Sequence, residues 1–194
     1  DAKLGIEKGA ELILRGELVV FPTETVYGLG ADAFNESAVR KIFEEKGRTQ
    51  DNPLIVHISS VEQVKDIAGD IPDTFYKVAE KFMPGPISVV LKKGDKVPSV
   101  VTAGGDTVAV RMPSHPVARA LIRAAGVPIA APSANLSGRP SPTKAEHVFE
   151  DMDGRIEMIL DGGEVGIGLE STIIDVTGEE PSLLRPGFIS EEML

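Results

Sequence analysis

Apolar segments of two different periods alternate along almost the whole of this 194-residue chain. That alternation limits the folds open to it more than any other feature. Short apolar runs at 18–21, 54–58, 87–91 and 127–131 read as buried strands, and 107–111 alternates like a strand. Between them lie segments of helical period. Ile6, Ala10 and Ile13 precede Gly16, and Val39, Ile42 and Phe43 lead to Lys46 and a stop at Gly47. Phe75, Val78, Ala79 and Phe82 sit between Pro72 and the breaker at 84–86, and 116–125 is closed by Gly126. Ser60 is placed to cap a helix carrying Val61, Val64 and Ile67. Segment 143–146 (TKAE) has the form of a capping box. Further strands are predicted at 158–160, 172–176 and 182–184, and 190–194 reads as a first helical turn behind Ser190. Interleaved strands and helices predict an α/β class, with a mixed sheet and helices packed on it. With no internal repeat or linker, residues 1–194 are expected to form one domain. The chain begins at Asp1 rather than Met. It is expected either to end in a short helix or to be cut from a longer two-domain protein.

Composition narrows the function. At 42% hydrophobic residues the chain can bury a full core, and the absence of Cys excludes disulfides, Cys-based zinc sites and thiol catalysis. A reducing, cytoplasmic setting is expected. No apolar run approaches the roughly 18 residues of a membrane span, and the charged N-terminal stretch is no secretory signal. The net charge is −10. Residues 107–145 nevertheless carry five basic side chains and no acid, while 146–194 carry two basic and 13 acidic ones. Such a protein binds an anion through a focused pocket rather than by bulk charge. Arg119 and Arg123, four apart, read as a solvated helix face.

Several polar, Gly/Pro-rich segments fall just after predicted strands, where α/β proteins hold their ligands. Segment 22–30 (PTETVYGLG) offers hydroxyls and two glycines, but taken alone it reads first as an ordinary strand-to-helix connection. It lacks the Gly-Lys-Ser/Thr of a phosphate loop. Around Gly47, Lys46 and Arg48 could clamp phosphates or simply complement a helix C-terminus. His57 lies inside an apolar strand, where a lone His is usually structural. Arg111 ends a strand, and a charge there needs an acidic ligand or a buried partner. Segment 131–143 (APSANLSGRPSPT) is the densest cluster of hydroxyl, amide and basic groups, suited to an anion or to a plain Pro/Ser loop. The absence of HExxH, GxSxG and GxGxxG argues against a metalloprotease, a hydrolase elbow and a dinucleotide dehydrogenase.

Taken in order, PTETVYGLG, KGR–DNPL–H, PGP, VAVRMP, APSANLSG, STIID and LRPG resemble the YrdC-like threonylcarbamoyl-AMP synthase family, from about Gly16 to Gly187. The resemblance implies a YrdC-like twisted mixed sheet with flanking helices and a concave active-site surface. It implies the reaction of L-threonine, bicarbonate and ATP to threonylcarbamoyl-AMP and pyrophosphate, which supplies the machinery that modifies tRNA. The family pattern puts Thr25, His57, Arg111, Ala131 and Ser171 around threonine. It puts Lys46, Arg48, Asn52, Thr107, Ser133, Ser141 and Arg185 around ATP, and Asn135 in the same loop is added. Lys46 and Arg48 would act in catalysis by offsetting phosphate charge, with Mg2+ held mainly by ATP itself. No residue reads as a covalent nucleophile, so catalysis rests on positioning and electrostatics.

Two other readings stay open at this level. One is a module that uses the concave face on double-stranded RNA or tRNA; the acidic balance allows only weak, salt-sensitive contact. The other is a non-synthase paralogue, including the related domain of hydrogenase-maturing carbamoyltransferases. That domain normally sits in a longer chain with zinc-finger cysteines, absent here.

Overall fold

The computed structural model describes residues 2–47, 52–166 and 170–194. Helix α1 (Ala2–Leu14) is followed by strands β1 (Val19–Pro22) and β2 (Tyr27–Asp32). Helix α2 (Glu36–Lys46) leads to β3 (Ile55–His57), a 3-10 helix (Val61–Asp66) and β4 (Ala68–Asp70). Helix α3 (Asp73–Phe82) precedes β5 (Ile87–Lys93) and β6 (Thr107–Arg111). Then come α4 (Pro116–Ala125), β7 (Ile129–Ala131), α5 (Ala145–Met152) and β8 (Met158–Ile159). Strands β9 (Thr172–Asp175) and β10 (Ser182–Arg185) and a 3-10 turn (Glu191–Met193) complete the order.

The described strands form one mixed sheet in the order β10-β9-β5-β6-β3-β7-β2-β1-β8, with β4 added along β5. The pairs β3–β6, β5–β9 and β1–β8 are parallel and the rest antiparallel. This is the expected α/β class. The expected glycine stops hold, and α2 has a cap that the sequence reading did not single out. Asn35 caps α2, its side chain accepting from Ala38 N at 3.1 Å, and Gly47 and Gly126 close α2 and α4 in left-handed geometry.

Four expectations are corrected. Segment 22–30 is not only a connection: its second half is β2, paired to β1 and fully buried at Tyr27 and Leu29. Its glycines hide it from strand propensity. They are needed because Phe21 crosses there, and a Cβ on Gly30 would lie 2.7 Å from Phe21 Cε1 and from Ile129 Cγ2. The segment behind Ser60 is a 3-10 helix, where Gln63 Oε1 accepts from Ser59 N at 2.7 Å. The box at 143–146 does not form: α5 starts at Ala145 behind Lys144, without a side-chain cap. The last residues make only a 3-10 turn, and Ser190 does not cap it.

The sheet has a core on each face. Val56, Val110 and Ala130 join a large cluster with Val39, Ile42 and Phe43 of α2 and Phe75 of α3. Phe21, Ile129 and Ala131 join a smaller one under α1 and α4, with Ile13, Leu121 and Ile122. The period of two sends neighbouring strand residues to opposite cores. Helices α1 and α4 cover only part of their face. No described helix is long and apolar enough to cross a membrane.

Candidate active site

The uncovered part of that face holds a cavity of about 190 Å³. Strand register builds its floor. Ile55 and His57 point the same way along β3, with Ala131 opposite Ile55 and Arg111 opposite His57. The turn at 23–26 overhangs this floor, fastened by Thr23, whose hydroxyl donates to Val26 O at 2.6 Å and accepts from Thr25 N at 3.2 Å.

Arg111 is 4% exposed, so its charge needs partners. Its Nη1 donates to Thr25 Oγ1 at 3.1 Å, and its Nη2 pairs with Glu24 Oε1. The Nε is buried with no partner among the described residues. Glu24 was not anticipated. A buried arginine signals that a counter-charge is required, but not which of 30 acids supplies it. Burial raises the Glu24 pKa, and Arg111 and Ser114 outweigh it, so the carboxylate titrates below its ordinary value.

His57 faces two carbonyls with one nitrogen: Nδ1 lies 3.1 Å from Ile55 O and 3.3 Å from Ile129 O. Both are acceptors, so Nδ1 carries the proton and Nε2 is left as an acceptor. Burial and then the Arg111 charge push its pKa down to about 3. The ring of Phe21 meets it edge to face, 5.8 Å between centroids. His57 is therefore a neutral hydrogen-bond acceptor lining the cavity.

Ser171 closes the other wall. Its hydroxyl lies 2.8 Å from Ser88 Oγ, and its carbonyl accepts from Arg185 Nε at 3.1 Å and Nη2 at 2.8 Å. Arg185 also pairs with Glu170 at 2.9 Å. Gly187 lets this return strand press close, since a Cβ there would stand 2.5 Å from Glu170 O and 2.6 Å from Thr172 N. The motifs STIID and LRPG thus form one structural unit.

All five residues expected around threonine (Thr25, His57, Arg111, Ala131 and Ser171) line this cavity, as do Ser133 and Arg185. Lys46, at the end of α2 and 4% exposed, reaches it indirectly, its Nζ donating to Ser133 O. Asn135 accepts from Ser133 Oγ at 2.5 Å and ties the loop through Leu136 O and Arg139 O. Asn52 neighbours the lining residue Pro53. Thr107 starts β6 opposite Lys92, four residues from Arg111, and Ser141 lies in the loop before α5. Neither lines the cavity. Arg48 lies outside the described residues.

Residues 11–187 match the model of the Sua5/YciO/YrdC family, described as telomere recombination. The chain belongs to the Sua5/YciO/YrdC family. Relatives in this family include the threonylcarbamoyl-AMP synthase of Pyrococcus abyssi, 58% identical over 94% of this chain and 54% of the relative. That of Bacillus subtilis is 55% identical over 97% of this chain and 55% of the relative. The putative threonylcarbamoyl-AMP synthase of Mycobacterium tuberculosis is 39% identical over 98% and 87% respectively. The chain therefore spans about half the length of the first two. A solved structure of P. abyssi Sua5 complexed with L-threonine superposes with a TM-score of 0.93 at 57% identity, over 95% of this chain and 54% of that one. Escherichia coli YciO shares the fold, with a TM-score of 0.88 at 23% identity over 100% of this chain and 94% of that one.

Proposed function

We propose that residues 1–194 act as one domain that makes threonylcarbamoyl-AMP and pyrophosphate from L-threonine, bicarbonate and MgATP. One observation carries this reading: Thr25, His57, Arg111, Ala131 and Ser171, spread over the whole sequence, converge on one cavity. Its relatives' names and the threonine-bound neighbour support the same substrate.

In this reading the guanidinium of Arg111, which lines the cavity, donates to the threonine carboxylate. The threonine hydroxyl donates to His57 Nε2, since that nitrogen can only accept. Ala131 and Ile55 supply an apolar wall for the methyl group. The threonine amine takes up bicarbonate as a carbamate, with loss of water. A carbamate oxygen then attacks the α-phosphorus, forming one P–O bond as the bond to pyrophosphate breaks. Lys46, Arg48 and Arg185 offset charge on the phosphates; magnesium arrives with the nucleotide, bound to its oxygens. His57, held neutral, takes no part as acid or base. The product then passes to the machinery that modifies tRNA, a use that fits a cytoplasmic setting.

The test is pyrophosphate release by the pure chain, omitting threonine, bicarbonate and ATP in turn. Release that needs all three and no RNA is expected, and its loss in Arg111→Ala. No release without RNA, together with tight RNA binding that resists salt and depends on Arg111, would replace the synthase by an RNA-binding module.

A further inference from the structure

Glu24 stands behind the cavity wall rather than in it. Its side chain is 14% exposed and that of Arg111 5%. The two carboxylate oxygens have separate tasks. Oε1 accepts from Arg111 Nη2, while Oε2 accepts from Ser114 N at 2.8 Å and Ser114 Oγ at 2.6 Å. Ser114 follows Arg111 by three residues, so Glu24 staples the 23–26 turn to the end of β6. Thr25, from the same turn, takes Arg111 Nη1. Two of the three guanidinium nitrogens are thus held by one turn, and Nε remains without a partner among the described residues.

We infer that Glu24, fastened by Ser114, is the positioning residue for Arg111 and sets the affinity for a substrate carboxylate without touching it. A guanidinium is planar, and its donors point in fixed directions. Holding Nη1 and Nη2 fixes the plane, and with it the direction in which the remaining N–H donors can meet a ligand. The charge of Glu24 also favours the Arg111 cation before any substrate arrives, against the burial that lowers its pKa. An amide at position 24 keeps the shape and loses this balance. A shorter acid keeps the charge and loses some reach.

This inference rests on reading Arg111 as the carboxylate-binding group. The experiment titrates L-threonine, L-threoninol (which lacks the carboxylate) and ATP into the 194-residue chain and its Glu24→Gln, Glu24→Asp and Ser114→Ala variants. Glu24→Gln is expected to weaken L-threonine at least about tenfold, and threoninol and ATP by less than about twofold. Glu24→Asp should recover part of the loss, and Ser114→Ala should show about a threefold effect of the same kind. Ser114→Ala removes one hydrogen bond and serves if Glu24→Gln fails to fold. Unchanged L-threonine affinity, or equal losses for L-threonine and threoninol, would overturn the positioning role. The Nε–H resonance of Arg111 in proton–nitrogen spectra reads the same role without ligand. It should be sharp in the parent and broadened or lost to exchange in Glu24→Gln. If the parent binds no threonine, the substrate reading falls. An unchanged Arg111 resonance in Glu24→Gln would then still overturn the positioning role by itself.

Discussion

His57 converts the buried geometry into a pH dependence that can be measured. In the unfolded chain an imidazole takes up its proton near pH 6.5. In the folded chain burial and Arg111 hold its pKa down to about 3. Between these values the unfolded state binds one proton more than the folded state, so stability falls as the pH falls. Above pH 6.5 both states are neutral and His57 contributes no slope. The full difference is about 5 kcal/mol, reached near pH 3, and about 2–3 kcal/mol is lost between pH 6.5 and 4.5. Urea unfolding at a series of pH values measures this directly. The control is His57→Asn, which cannot titrate; its absolute stability differs because the contact with Phe21 is lost, so only the slopes are compared. His115 is half-buried and also has a lowered pKa, and it adds the same slope to both proteins. The chain has only three histidines, so each ring can be followed by NMR. His57 should show the Nδ1–H tautomer and no titration above pH 5. Coincident slopes for parent and variant, or a His57 midpoint near 6.5, would refute the argument.

Other expectations follow from single contacts. Gly187→Ala puts a Cβ against backbone of residues 170–172, which cannot swing aside like a side chain. It should cost about 1–3 kcal/mol in urea unfolding and weaken threonine binding through Ser171, and a cost below about 0.5 kcal/mol would count against the close approach. Ser88→Ala removes the buried partner of Ser171 and should cost about 1 kcal/mol while raising the KM for threonine more than that for ATP. Lys96→Ala breaks an exposed pair with Asp66 and should change stability by less than about 0.5 kcal/mol; a larger loss would show that the pair is structurally engaged.

The helices and most strands were legible in the sequence because their signals are local. A stop or a periodic apolar stripe is written within a few residues, as at Gly47 and Gly126. Strand β6 and helix α4 run over the predicted residues. The five threonine candidates were grouped by the family resemblance that the ordered motifs carry, not by any local signal. Strand β2 was hidden because its glycines answer to a distant ring, that of Phe21, rather than to their own strand.

The amino-acid sequence by itself determined the alternation of elements, the α/β class and the need of Arg111 for a counter-charge. Tertiary structure alone decided that Glu24 meets this need across 87 residues of chain. It decided also that His57 donates to Ile55 and Ile129 and so presents a bare acceptor, and that Arg185 and Gly187 brace Ser171. The physical reason is one of range. Helix caps and apolar periods depend on neighbours within a turn or two, but the partners of a buried polar group are set by strand register and by which turn folds over which strand end.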